Sequence, residues 1–234
     1  DIGYGKNYFY YLNPETQKWS TLPWDLDLTW ASNMYGNGND PFKGKVLGKA
    51  VFKVEYGNRA REILDLLFNN DEGYRLIDEF AAIIDEPTGR MPSIADADRA
   101  MWDHHPVMSS GRVNSSKAGK GRFYQKAGTK DFPGMVKIMK NYIRTRRNFI
   151  LKSAARDTRH PDQPTIEYSG GEGHPVNGLR FRSSAFSDSS GKFGGMKWRL
   201  AEVTAPDAPP YDPANPRQYE INADWESDVL AEFT

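Results

Sequence analysis

Apolar residues recur at helical spacing through the middle of this 234-residue chain, and this pattern limits the fold more than any other feature. Residues 59–68 carry apolar side chains at positions i, i+3, i+4 and i+7, which lie on one face of a helix, and residues 72–84 show a similar spacing. A weaker pattern covers residues 94–103, and the longest one extends over residues 131–155. The sequence therefore predicts four amphipathic helices in this part of the chain.

Residues suited to capping precede two of these helices. Asn58 and Ser93 stand before the first and the third, where a side-chain oxygen can accept a hydrogen bond from a free backbone N–H. The second helix is expected to bury Tyr74, Ile77 and Phe80 on its apolar face. The last helix is expected to bury one continuous stripe, made of Phe132, Met135, Val136, Met139, Tyr142, Ile143, Phe149 and Ile150.

The first thirty residues predict a β-hairpin. A dense aromatic run at residues 8–12 is followed by turn-forming residues at 13–18, and a second β-prone run extends over residues 19–28. Pro23 interrupts the second run, so we expect an edge strand or a strand that is split there.

Composition changes after Arg156. Residues 157–164 contain two prolines and predict a linker between a first domain at residues 1–156 and a second at residues 165–234. In the second domain, short β-prone segments alternate with clusters of Gly, Pro, Asp and Ser, as in part of a β-sandwich. These segments are residues 165–168, 178–182, 196–203 and 219–223.

Charge, hydropathy and cysteine content exclude several classes of protein. Lys and Arg number 31, as do Asp and Glu, so the formal net charge is zero and nothing global indicates a nucleic-acid partner. The mean hydropathy is −0.72, and no apolar run approaches the ~20 residues that span a bilayer, so no membrane-spanning segment is expected. The absence of cysteine excludes disulfide frameworks, thiolate zinc sites and cysteine nucleophiles.

The chain begins at Asp1 without a methionine and ends at Thr234 within a β-prone region. We therefore expect it to be a segment of a longer protein, and the absence of a motif from it carries little weight.

Polar residues that could carry chemistry concentrate in or beside the predicted hairpin, namely Asp1, Lys6, Asn7, Asp25 and Asp27. Residues two apart on a regular strand face the same side, so Asp25 and Asp27 would present paired carboxylates. Carboxylate and amide oxygens suit Mg²⁺ or Mn²⁺ better than zinc. The alternative stays open that these residues only form turns, because Asp and Asn are common in surface hairpins.

Two other groups of residues are better explained by structure than by binding. The tryptophans of the hairpin region, Trp19, Trp24 and Trp30, are expected in the core rather than on a sugar-stacking platform. The basic residues of the last predicted helix surround it instead of forming one stripe, so a solvated face is expected rather than a phosphate-binding patch.

The residues at the start of the chain resemble the CotH family of atypical secreted or spore-coat protein kinases. The family pattern is an Asp, a strand beginning Lys/Asn-Asn-Tyr-aromatic, and a Pro-Trp-Asp-x-Asp segment after a hairpin. This chain has Lys6-Asn7-Tyr8-Phe9-Tyr10-Tyr11 and then Pro23-Trp24-Asp25-Leu26-Asp27-Leu28-Thr29-Trp30. The resemblance implies an α+β fold with a mainly helical, protein-kinase-like C-lobe behind the N-terminal hairpin, in a bacterial protein that is secreted or at the cell surface.

The same resemblance implies roles for the polar residues. Asp1 would be the catalytic aspartate that accepts the proton of the acceptor hydroxyl, and Asn7 would be a metal ligand. Asp25 would stand where typical kinases have the Asp of Asp-Phe-Gly, which holds the metal against the nucleotide phosphates. Asp27 would be a second ligand or a support, and Lys6 would contact phosphate. Asp1 and Asn7 are six positions apart, whereas the corresponding pair in typical kinases is five apart.

The implied activity is transfer of the ATP γ-phosphate to Ser or Thr hydroxyls of a protein substrate, with Mg²⁺ or Mn²⁺. No Gly-rich phosphate loop and no strand lysine precede Asp1, so we expect this segment alone to be inactive. The alternative is a non-catalytic extracellular structural or adhesive protein that uses a kinase-like scaffold, with partners at the cell surface or in the extracellular matrix.

A second resemblance covers the C-terminal part. Residues 177–188 and 196–203 resemble fibronectin-type-III-like modules, which follow CotH-like domains in large secreted proteins. This resemblance implies a partial β-sandwich with Trp198 in its core.

Overall fold

A computed structural model describes residues 7–26, 30, 41–85, 92–104, 127–129, 131–189 and 191–232. Within them, five helices and three two-stranded antiparallel sheets make an α+β protein. In chain order the elements are β1 (Tyr8–Leu12), β2 (Trp19–Pro23), α1 (Pro41–Leu47), α2 (Ala50–Leu66), α3 (Glu72–Ile84), α4 (Ile94–His104), α5 (Phe132–Leu151), β3 (Ile166–Tyr168), β4 (Phe181–Ser183), β5 (Arg199–Leu200) and β6 (Trp225–Glu226).

The predicted hairpin is confirmed. Strands β1 and β2 pair antiparallel, in a register that runs from Tyr8 opposite Pro23 to Leu12 opposite Trp19. The turn is organised by Asn13, whose side-chain oxygen accepts hydrogen bonds from the backbone N–H groups of the two residues after Pro14, at 2.8 and 3.1 Å. The second strand ends at Pro23, which cannot donate a ladder hydrogen bond.

The helix predictions are confirmed in number and largely in extent, and α1 is an additional helix. Ser93 caps α4 as predicted, because its hydroxyl accepts from the Asp96 N–H at 3.1 Å. Asn58 is not a cap: α2 begins at Ala50, and the Asn58 side chain accepts from Arg61 inside the helix. The first two turns of α2 were missed because their apolar residues are exposed and follow no single buried face.

The core of the helical part lies where α5 packs against α3 and α2. Leu64, Ile77 and Ile143 are buried there, one from each helix. Gly73 permits the close approach of α3 to α5, because a Cβ at this position would stand only 2.8 Å from Ile143 Cδ1. The packed core therefore holds three helices in fixed relative positions.

Several residues predicted to be buried are exposed. Phe80 is 60% exposed, and Phe149 is 55% exposed beneath the guanidinium of Arg146, which lies 4.5 Å from the ring centroid. Trp19 and Trp24 lie on the exposed hairpin rather than in the core. The apolar face of a single helix or hairpin did not predict burial at these positions. Burial depends on which other parts of the chain pack against that face.

The C-terminal part contains short strands in separate pairs. β3 pairs with β4, β5 pairs with β6, and an isolated bridge joins Met196 to Leu230. Three of the four predicted β segments contain or overlap an observed strand, whereas residues 219–223 form a loop and the strand lies at β6. Residues 157–164 carry no helix or strand. Among the described helices, none combines the length and the apolar character needed to cross a membrane.

Candidate functional site

The open end of the β1–β2 hairpin brings together two of the predicted site residues. Asn7 precedes β1 and Asp25 follows β2, so the strand register places the two beside each other. The Asn7 carbonyl accepts from the Trp24 N–H at 3.0 Å, and the Asn7 side-chain Nδ2 donates to the Asp25 carbonyl oxygen at 3.4 Å. The hairpin therefore joins residues that are 18 positions apart in the sequence.

Both residues have left-handed backbone conformations. Asn7 has a φ of 65° and Asp25 a φ of 54°. Asn and Asp tolerate this region better than other non-glycine residues, yet each such residue still costs on the order of 1 kcal/mol. Left-handed non-glycine residues cluster at functional sites, where the surrounding structure holds them in place. Asn7 and Asp25 are in hydrogen-bond contact with each other, whereas Gln17, with a φ of 55°, lies in the turn at the other end of the hairpin.

The strand alternation expected for Asp25 and Asp27 already ends before Asp25. β2 ends at Pro23, and the left-handed conformation of Asp25 turns the chain away from the strand direction. Asp27 lies outside the described residues, as do Asp1 and Lys6, so their places in the site remain predictions.

The burial of the two side chains differs in a way that suits ligand binding. Asn7 is only 7% exposed, whereas Asp25 is exposed. Because the Asn7 Nδ2 donates to a carbonyl, the amide oxygen is the atom that this side chain can offer to a cation. An amide oxygen and a carboxylate fit the hard-oxygen preference of Mg²⁺ or Mn²⁺. In the part of the chain that the structure describes, no group of three or more His, Asp or Glu side chains could hold a metal ion.

Aromatic contacts lie within the hairpin region and between Trp30 and the helical part. Phe9 stacks on Trp24 with ring centroids 6.1 Å apart. Trp30, five positions after Asp25, packs against Phe68 at 5.4 Å and against Tyr142 of α5 at 6.1 Å. The sequence predicts Trp30 in the core, but the residues around it do not show that Phe68 and Tyr142 are its partners.

The basic residues of α5 show no sign of a phosphate-binding patch where their contacts are described. Lys140 forms an ion pair with Asp78 of α3 at 2.5 Å, and its Nζ lies 5.5 Å from the centroid of the Tyr74 ring. Arg146 covers Phe149. These contacts hold α5 against α3 and cover its exposed aromatic surface, which is a structural role.

The family model described as CotH kinase protein matches residues 1–150, and the match spans the hairpin, helices α1–α4 and nearly all of α5. No curated protein and no solved structure matches the chain.

Proposed function

Because the chain belongs to the CotH kinase family, we propose that the full-length natural protein transfers the γ-phosphate of ATP to Ser or Thr hydroxyls of a protein substrate. The family supports ATP-dependent phosphoryl transfer in general. The observation that supports this site is the contact between Asn7 and Asp25, whose left-handed backbones bring an amide oxygen and a carboxylate to the same end of the hairpin.

The physical demands of phosphoryl transfer are consistent with so small a set of residues. The reaction asks for little covalent chemistry from the protein, so catalysis depends on positioning and on neutralising phosphate charge. In the proposed site, the Asn7 amide oxygen and the Asp25 carboxylate hold Mg²⁺ or Mn²⁺, and Asp27 is a second ligand or a support. The bound ion supplies charge neutralisation at the nucleotide phosphates.

Two further residues complete the proposed site. Asp1 accepts the proton of the acceptor hydroxyl as the phosphoryl group leaves ATP, and Lys6 contacts phosphate. Their proximity in sequence to Asn7 supports their assignment to the same end of the hairpin. We further propose that residues 1–156 form a kinase-like C-lobe, in which the hairpin carries the ligands and the helices support them.

Residues 165–234 are proposed to be part of a fibronectin-type-III-like module. Antiparallel strand pairs support this proposal, and so does a groove of about 370 Å³ with an exposed apolar lining. Strands that pack against a second sheet present such a face. The apolar residues that line it are Ile166, Leu179, Phe181, Trp198, Leu200 and Trp225. The resemblance also supports a secreted or cell-surface location in a bacterium, with partners there.

The activity is tested on the full-length natural protein with labelled ATP and Mn²⁺ or Mg²⁺. We expect labelled phosphate on protein Ser or Thr, and a decrease of roughly 100-fold in Asp25→Ala, because a metal ligand is lost. Asp65→Ala, which removes an exposed carboxylate from α2, is the matched control and should leave incorporation unchanged. Unchanged incorporation in Asp25→Ala would contradict the site, and no incorporation by the natural protein would favour the non-catalytic scaffold.

The metal site has a test that is independent of activity. Titration of the present chain with Mn²⁺ should show a site whose affinity falls roughly tenfold or more in Asp25→Asn, since the substitution removes the charge and keeps the shape. Equal Mn²⁺ affinity of the natural chain and of Asp25→Asn would show that Asp25 is not a metal ligand.

A further inference from the structure

The C-terminal part of the chain lies across two helices of the family-matched part. Residues 199–226, here called the strap, contact α2 through Arg199 and α3 through Tyr219. Arg199 Nη1 donates to Glu62 Oε1 at 2.7 Å, and Tyr219 Oη donates to Glu79 Oε2 at 2.5 Å. The partners are 137 and 140 positions apart in the sequence, so both contacts are tertiary.

The Tyr219–Glu79 pair is buried. Tyr219 is 6% exposed and Glu79 is 8% exposed. A carboxylate is expensive to bury unless it receives hydrogen bonds, and Tyr219 supplies one. On an α3 without the strap, Glu79 would face water at no such cost. The Tyr219 hydroxyl therefore offsets part of the desolvation that the strap imposes on Glu79, which couples the two parts of the chain.

Arg199 joins both ends of the strap to α2. Besides Glu62, its Nη2 donates to the Ile221 carbonyl at 3.0 Å, and its Nε lies 2.9 Å from Glu226 Oε1. One guanidinium thus connects β5, the loop before β6, β6 itself and helix α2. A planar group with five donors is suited to such a junction.

The segment that leads from the helices to the strap is also attached. Arg61 of α2 donates through Nη2 to the carbonyl of Asp157, and the Asp162 N–H donates to the Ser187 carbonyl at 2.8 Å. Residues 157–164 are therefore hydrogen-bonded at one end to α2 and further along to the C-terminal part. A cleft of about 430 Å³ remains between the strap and the helices, lined on the helical side by Leu66, Glu72 and Arg75.

We infer that the α2–α3 face is a docking surface for the strap, and that the strap and helices α2, α3 and α5 form one cooperative folding unit. The family match ends at residue 150, so this unit extends beyond it to Glu226. The C-terminal module is then docked rigidly on the helices instead of being joined to them by a free tether. The inference rests on contacts within the chain and holds whether or not the chain transfers phosphate.

Amide hydrogen exchange, measured region by region on the intact chain, tests the inference. Each substitution is made in the strap or in the helices, and the exchange rate is measured in the other part. Tyr219→Phe removes the hydroxyl from the strap and should speed amide exchange in α3 by about tenfold or more. Glu62→Gln weakens the α2 contact and should speed exchange of the Asp224 amide, which donates to the Leu200 carbonyl within the strap. Tyr211→Phe is the matched control, because Tyr211 lies in the strap with an exposed ring, and it should change neither.

Thermal unfolding gives the second measurement. The intact chain should unfold in one transition, and Tyr219→Phe should lower its midpoint by about 2–8 °C. Two separate transitions would overturn the inference, and so would faster exchange confined to the strap in Tyr219→Phe. If Tyr219→Phe does not fold, Glu62→Gln decides the question: faster exchange at Asp224 supports the inference and unchanged exchange overturns it.

Discussion

The side chain of Asn7 donates to the backbone carbonyl of Asp25 at 3.4 Å, and both residues have a positive φ. This contact closes the open end of the hairpin and places the Asn7 side chain against the backbone of Asp25. The conformations of these two residues, as well as their side chains, therefore define the candidate site. Backbone strain and ligand chemistry can be separated here by choosing substitutions that change only one of them.

Asn7→Gly should weaken Mn²⁺ binding without a large loss of stability. Glycine adopts the 65° φ of Asn7 without steric cost, so we expect the free energy of unfolding to fall by less than about 1 kcal/mol. Asn7→Val also removes the amide oxygen, but a β-branched residue is strained at this φ, and the expected loss is roughly 2–3 kcal/mol. Urea denaturation and Mn²⁺ titration of both variants make the comparison. Equal stability of the two would show that the chain can relax the left-handed conformation.

Trp30→Ala should loosen the site end of the hairpin. The substitution removes the ring that packs on Phe68 and Tyr142, and we expect a loss of roughly 2–3 kcal/mol because Trp30 is only partly buried. The amide of Trp24, which donates to the Asn7 carbonyl, should then exchange faster.

Trp19→Ala is the matched control for this prediction. Trp19 is 64% exposed on β2, so its removal should change the stability by about 0.5 kcal/mol or less. Unchanged exchange at the Trp24 amide in Trp30→Ala would show that the contacts of Trp30 do not hold this end of the hairpin.

The N-cap of α5 should make stability depend on acid pH. The Thr129 hydroxyl and the Gly134 N–H both donate to the Asp131 carboxylate, and these hydrogen bonds lower its pKa below the ordinary value of 3.8. A lowered folded-state pKa contributes stability that is present above 3.8 and is lost as the pH falls through the folded-state value. Asp131→Asn keeps an oxygen acceptor without the charge, so its stability should fall less over this acid range. Melting temperatures of both proteins between about pH 5 and about pH 2 provide the test.

The Tyr219–Glu79 pair should make stability depend on alkaline pH. Burial, together with the hydrogen bond to the Glu79 carboxylate and its charge, raises the pKa of Tyr219 above its ordinary value of 10.0. A raised folded-state pKa contributes stability that is fully present below pH 10.0 and is lost as the pH rises toward the folded-state value. Denaturant titrations at increasing pH should therefore show a steeper alkaline decline in the natural chain than in Tyr219→Phe. Parallel declines would mean that the phenol ionises equally in the folded and unfolded chains.

Much of the local structure could be predicted from the sequence. The hairpin follows from the aromatic run, the Asn13 turn and Pro23, and α3 has the predicted bounds Glu72–Ile84. The contact between Asn7 and Asp25 was not among the predictions from the residues; it depends on the strand register, which brings together the two residues that flank the paired strands. The start of α2 could not be predicted, since its exposed apolar residues give no period to detect.

By itself the sequence determined the hairpin, the positions of helices α3 to α5, part of α2, and the cap of α4. Each of these depends on neighbours within a few positions or across one short turn. Only the tertiary structure decided that Glu79 faces inward while Phe80 faces water, and that Trp30 packs on Phe68 and Tyr142. The periodicity of a helix shows which residues share a face, but the partner that covers the face comes from 140 positions away, in Tyr219.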